Sequence, residues 1–118
     1  MGAVSLNEIN VTPLKHISTL GGDVKHAMKR TDPQYMGFGE AYFSTINNGE
    51  IKGWNKHKSM ILNLVVPMGA VTFVIYDDRE ESISNGRFFG VKLSPSNYQR
   101  LTVPPGLWIA FKGNNSKI

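Results

Sequence analysis

Residues able to do chemistry concentrate in one strand-length stretch, Ile51 to Lys58 (IKGWNKHK). His57 is the titratable member: imidazole changes charge near neutral pH and so can take or give a proton. Lys52 is a point charge upstream of it, and Asn55 is an amide that can donate and accept but cannot act as a base near neutral pH. Successive side chains of a strand point to opposite sides, so alternation puts Gly53, Asn55 and His57 on one face and Lys52, Trp54, Lys56 and Lys58 on the other. The next run, MILNLVVP, carries a polar Asn63 among apolar neighbours. If these strands close a small barrel, polar residues facing inward are the candidate site. Two readings of His57 stay open at this level: a proton-transfer group, or a strand histidine satisfied by a neighbour or by water. His16 and His26 have no motif around them.

Composition removes several chemistries. The 118 residues include no cysteine, hence no thiolate nucleophile, disulfide or thiolate metal site, which suits a reducing compartment. No Ser/His/Asp arrangement is visible, and Gly37-Phe38-Gly39 lacks the following helix of a dinucleotide loop. The net charge of +4 comes from 13 Lys and Arg against 9 Asp and Glu. The excess is scattered over Lys25, Lys29 and Arg30 and over Lys52, Lys56 and Lys58. It reads either as a solvated surface or as attraction to a phosphate-bearing ligand. No basic run is interleaved with stacking aromatics, so nucleic acid is not an expected partner. No apolar run has the length of a membrane span and the first residues lack a signal-peptide pattern, so no membrane association and a cytoplasmic location are expected.

The positioning elements are strands. IKGWNKHK, MILNLVVP, AVTFVIYD, RFFGVKLS, QRLTVPP and LWIAFKG are rich in β-branched and aromatic residues. The breaks between them are Met68-Gly69, the polar stretch DREESISNG, Ser94-Pro95-Ser96-Asn97, which could cap a short helical turn, and Pro104-Pro105-Gly106, where neither proline can donate to a ladder. Upstream, INVTPLKHI reads as an edge strand interrupted by Pro13, and DVKHAMKR as strand or short helix. GFGEAYFSTI reads as a strand joined through Asn47-Asn48-Gly49 to IKGWNKH. Asp77, Asp78 and Arg79 are expected to form an ion pair at a corner, and Arg100 to behave similarly. The expectation is all-β, with one domain over 1–118.

Three segments together resemble the dTDP-4-dehydrorhamnose 3,5-epimerase family of cupin-type nucleotide-sugar epimerases and isomerases. They are GFGEAYFSTINNGEIKGWNKHK (Gly37 to Lys58), GAVTFVIYDDRE beginning at Gly69, and GVKLSPSNYQRLTVPPGLWIAFKG (Gly90 to Gly113). They look like the family's acidic strand, turn and basic-Gly-bulky-His strand, then its glycine turn and Asp-x-Arg corner, then its Pro-Pro-Gly corner and following strand. The resemblance implies a small cupin-like jelly-roll β-barrel acting on dTDP-4-keto-6-deoxy sugars in cell-surface polysaccharide synthesis. The family's base position holds Asn55 here. Related short isomerases resemble a His-x-His version of this strand, which makes His57 the implied base. Lys52 takes the basic place and is implied to contact the diphosphate, with Asn55 or Asn63 as further substrate donors. Glu40 falls where the family places an acidic residue near the nucleotide or the dimer partner; as an edge-strand charge it would instead discourage aggregation.

Metal-binding cupins use two histidines spaced by one residue, a glutamate, and a third histidine beyond the proline-glycine corner. The matching places here read Asn55, His57 and Ile109. One imidazole does not make such a site, so no metal and no cofactor are expected. The family also implies a homodimer sharing strands near the N-terminus. Competing readings are an idle cupin that binds a nucleotide sugar, and an interaction protein whose barrel is filled by Met60, Leu62, Phe73 and Ile109.

Overall fold

The computed structural model describes residues 6–114, where regular structure is strand apart from a single 3-10 turn at Leu6–Glu8. The strands are β1 (Asn10–Pro13), β2 (His16–Thr19), β3 (Gly22–Lys25), β4 (Ile51–Lys56), β5 (Leu62–Leu64), β6 (Val71–Tyr76), β7 (Phe88–Leu93), β8 (Gln99–Val103) and β9 (Trp108–Gly113). They pair antiparallel in a four-stranded sheet of order β4-β9-β6-β7, a three-stranded sheet of order β1-β8-β5 and a β2-β3 ribbon. The all-β expectation holds, and each of the apolar runs from Ile51 onward supplies one strand.

Alternation fixes what fills the middle. Phe73 and Ile75 of β6, Leu93 of β7 and Ile109 of β9 meet Leu101 and Val103 of β8 in one core, closed by Ile9, Val66 and Leu107. Burying side chains of this size stabilises by roughly 1.5–3 kcal/mol each, which is why the short strands hold together. Met60, offered above as barrel filling, is exposed, and Leu62 is half-buried.

The other face of β8 is buried too, because the irregular segment after β3 lies over it. Arg100 is 1% exposed. Its guanidinium donates to the Ala27 carbonyl at 2.6 Å, to Asp32 at 3.2 Å and to Gln34 Oε1 at 2.7 Å. Tyr98 donates its hydroxyl to the His26 carbonyl at 2.7 Å. A segment with little secondary structure is thereby docked on a sheet by side chains rather than by a ladder.

Two local expectations are corrected. GFGEAYFSTI forms no strand. The turn behind it forms as expected, with the Glu50 amide donating to the Asn47 carbonyl at 3.0 Å and Gly49 at φ 84°. That turn is stitched to the far end of β9: Gly49 donates to the Gly113 carbonyl at 2.8 Å, and Gly113 donates to Glu50 at 3.0 Å. Residues before Asn47 are therefore led past the end of β9 rather than along β4, and Phe38, Tyr42 and Phe43 are left exposed. Ser94 to Asn97 is a tight turn closed by the Asn97 amide on the Ser94 carbonyl at 3.0 Å, not a helical one.

Replacing Arg100 with methionine keeps the buried stem and removes its hydrogen bonds. Urea denaturation should show a loss of about 3 kcal/mol, with amides between Ala27 and Gln34 exchanging first. Unchanged exchange there would mean that the segment is held by something else.

Candidate functional site

The site is built on β4, the edge of the four-stranded sheet, and on one irregularity in it. Lys52 pairs with Phe111 and Asn55 with Ile109, so two residues of β4 are crossed between positions two apart on β9, and the register shifts at this bulge. Ile109 and Phe111 lie opposite Ile75 and Phe73 of β6, whose side chains are in the core. Lys52 and Asn55 consequently share the inner face. Simple alternation had separated them; the extra residue reverses the phase between Lys52 and Asn55.

Gly53 makes the bulge feasible. Its φ is +132°, a region L side chains rarely adopt, and a Cβ there would lie 2.7 Å from both Cα and Cβ of Ala110. On the outer face, Trp54 packs against Phe88 with ring centroids 6.5 Å apart, and Lys56 pairs across from Trp108. β4 is solvent-accessible along most of its length, so the inner face at this edge is open while the centre of the fold is filled.

Lys52 Nζ donates to the Thr45 carbonyl at 3.0 Å, and no carboxylate pairs with it among the described residues. His57 follows the last residue of β4 and is half-buried. Its carbonyl accepts from the Gly106 amide at 2.8 Å, which ties it to the Pro-Pro-Gly corner. Among the described residues no hydrogen bond is made by its imidazole. Asn63 stands in the other sheet, opposite Thr102, whose hydroxyl donates to Asn63 Oδ1 at 2.7 Å, on the face away from Leu101 and Val103. Glu40 is exposed in the irregular arm. The structure thus puts Lys52 and Asn55 on one face of β4, with His57 one residue past its end, and leaves Asn63 and Glu40 elsewhere. An open groove of about 210 Å³ lies over the three-stranded sheet, lined by Glu8, Asn10, Gln34, Met36 and Thr102 among others, and contains none of those three.

At the end of β6 lies a polar cluster of which sequence showed only part. Asp77 is fully buried and takes both Nε and Nη2 of Arg79, at 2.9 and 3.0 Å. Ser82 and Ser84 both donate to its Oδ2, the oxygen that also accepts from Nη2, Ser84 at 2.6 Å. Burial pushes the Asp77 carboxyl up, but the donors from Arg79, Ser82 and Ser84 outweigh that and hold it well below the usual carboxylate range. Asp78 accepts from Lys56 Nζ at 2.9 Å and Trp108 Nε1 at 2.8 Å, and these bonds lower its pKa as well. The sequence suggested an ion pair at this corner. Nothing in the spacing marked Ser82, Ser84 or the link from Gly106 to His57. Among the described residues no cluster of three or more His, Asp or Glu is placed to hold a metal, and no helix is long and apolar enough to cross a membrane.

No family model matches the chain. The fold aligns over 92% of this chain and 71% of the other with a dTDP sugar isomerase from Desulfovibrio desulfuricans, at 35% identity and a TM-score of 0.88. The chain belongs to the dTDP-sugar epimerase and isomerase family. A probable low-salt glycan biosynthesis epimerase of Haloferax volcanii is 33% identical over 73 residues, 61% of this chain, and the match spans about half, 47%, of that relative's length. A 3'-monoepimerase from Streptomyces bikiniensis in complex with dTDP-quinovose shares the fold at a TM-score of 0.82, with 17% identity, over 99% of this chain and 63% of that one. The cupin-like architecture expected from the sequence is thus that of its family.

Two outcomes follow from this geometry. Gly53→Ala should destabilise the protein by at least about 2 kcal/mol and move the Asn55 side-chain amide signals in an NMR spectrum; a variant as stable as the parent would show that β4 can back away from Ala110. The Asp77 carboxyl is depressed below its unfolded value of 3.8, so its stabilisation is complete above that value and is lost as the pH falls through the lower folded-state value. Asp77→Asn should therefore be less stable at neutral pH and should show a flatter fall of stability below about pH 4 than the parent.

Proposed function

We propose that this protein binds a dTDP-linked 4-keto-6-deoxyhexose along the inner face of β4 and acts as a 3,5-epimerase-like or keto-isomerase-like enzyme of cell-surface polysaccharide biosynthesis. The observation that carries the reading is the match to a dTDP sugar isomerase along 92% of the chain at 35% identity. His57 is the base. Its unprotonated ring nitrogen takes the proton from the carbon beside the ketone, and the C–H electron pair moves to leave an enolate. Return of a proton to the same carbon from the other face gives an epimer, and return at the neighbouring carbon after enediol formation gives the shifted ketone. Asn55 donates to the developing enolate oxygen, the role left to an amide where the family carries a base. Lys52, free of a carboxylate partner among the described residues, meets the diphosphate as a point charge.

Glu40 and Asn63 do not share that face. Glu40 belongs to the arm bearing Phe38, Tyr42 and Phe43, which are 77%, 76% and 99% exposed. So much isolated aromatic surface supports a homodimer in which a second copy covers the arm, with Glu40 then placed near the partner's nucleotide. Asn63 would touch a ligand only through the outer face of its own sheet. A cytoplasmic setting completes the reading.

The test is incubation with a dTDP-4-keto-6-deoxyhexose in heavy water, with deuterium uptake followed by NMR. Uptake is expected in the parent and abolished in His57→Ala. Asn55→Ala should lower the rate by about 100-fold, and Lys52→Ala should weaken dTDP binding by about tenfold. Saturable shifts of the ligand without uptake would leave a binding protein without the reaction.

A further inference from the structure

His57 sits where the sheet stops holding it. The ladder between β4 and β9 ends at Lys56 and Trp108, and an imidazole beyond the last pair would swing with its backbone. Two contacts oppose this, and both lead back to one tripeptide at the end of β6. The first is through Asp78. One carboxylate oxygen accepts from Lys56 Nζ at 2.9 Å and the other from Trp108 Nε1 at 2.8 Å, while the Lys56 ammonium lies 5.0 Å from the centre of the Trp108 ring. One carboxylate thus grips the last residue of β4 and its partner on β9, on the outer face, at the pair that immediately precedes His57.

The second contact is the hydrogen bond from the Gly106 amide to the His57 carbonyl, 2.8 Å. Gly106, at φ +91°, has the Arg79 side chain beside it, with Cδ 3.4 Å from where a Cβ on the glycine would be. Arg79 cannot drift, because Asp77 holds Nε and Nη2, and Glu8 accepts from Nη1 at 3.1 Å. Asp77 is itself fixed by Ser82 and Ser84 in a fully buried position.

We propose that the Asp77-Asp78-Arg79 corner positions His57 for proton transfer, with Asp78 holding the strand on one side and Arg79 propping the Gly106 hydrogen bond on the other. The inference rests on His57 being the base. Lys52 stands at the opposite end of β4 and is tied to Thr45 instead, so loosening the corner disturbs proton transfer and leaves nucleotide binding in place. Holding a reacting group to within a fraction of an ångström is what such a supporting layer does, and a displacement of about 1 Å can cost up to about 100-fold in rate.

The experiment uses Asp78→Asn, Lys56→Met and Asp78→Glu, read by His57 ring signals in the free protein, by dTDP titration and by deuterium uptake. In the first two, the His57 ring signals should broaden or split and uptake should fall at least about tenfold, with dTDP affinity within about twofold of the parent. Asp78→Glu should restore most of the rate. Unchanged His57 signals in variants whose Trp108 indole signal shows its bond lost would overturn the inference. Equal loss of dTDP affinity and uptake would do the same, since it would make the corner a general support. Lys56→Met spares Asp78, so one variant remains if the other does not fold. Absence of uptake in the parent would sink the enzymatic reading, and the ring signals would still decide whether the corner holds His57.

Discussion

The close approach of β4 to β9 at Gly53 is the constraint on which the site depends. A Cβ at position 53 would lie 2.7 Å from Ala110, so the strand can bulge there only with glycine. The bulge then decides which side chains look inward. Without it, Lys52 would project outward beside Lys56; with it, Lys52 joins Asn55 on the face lined by Ile109 and Phe111. A small residue at 110 is the other half of the condition: Ala110 is 8% exposed and lets the two backbones meet. Position 53 thus contributes no functional group and yet fixes the grouping of two residues that do.

Apolar burial explains the centre of the fold and little of its periphery. Phe73, Ile75, Leu101 and Ile109 hold two sheets together, but neither the arm after β3 nor the loop after β6 has much apolar surface in that core. Each is organised around a buried ionic group. Arg100 holds the first through carbonyls and Asp32, and Asp77 holds the second through Arg79 and two serines. Buried charges are costly unless surrounded by partners. Here the partners come from the segments being fixed, so each ion sets the path of a loop while offsetting its own desolvation. A lone apolar side chain in either place would stabilise without specifying where the loop runs.

Much of the fold was legible from residue type alone. Each apolar run after Ile51 is bounded by Gly, Pro, Asn or Asp, and each became a strand. Pro104 and Pro105 did make the corner, and the Asp77 to Arg79 pair did form. Three things were not legible. A bulge inverts the two-residue period that sequence reading relies on, so the face of Lys52 could not be assigned without the backbone. GFGEAYFSTI has strand composition, but a strand needs a ladder, and the turn at Asn47 carries it past β9 to where none is offered among the described residues. Asn63 looked inward because its neighbours are apolar. In a strand buried on one side and partly covered on the other, apolar neighbours on both faces leave that question open, and Thr102 opposite it settles the matter.

The order of groups along β4 is itself an argument for how a nucleotide sugar would lie. A permanent cation at Lys52, an uncharged amide at Asn55 and a titratable imidazole at His57 follow one another over a strand that rises about 3.3 Å per residue. A dTDP-sugar has the same order, with two phosphates, then a ring oxygen and hydroxyls, then the carbon beside the ketone. In the proposed reading, an amide at 55 supplies a donor, and proton transfer falls to His57, farther along the chain from the ammonium of Lys52.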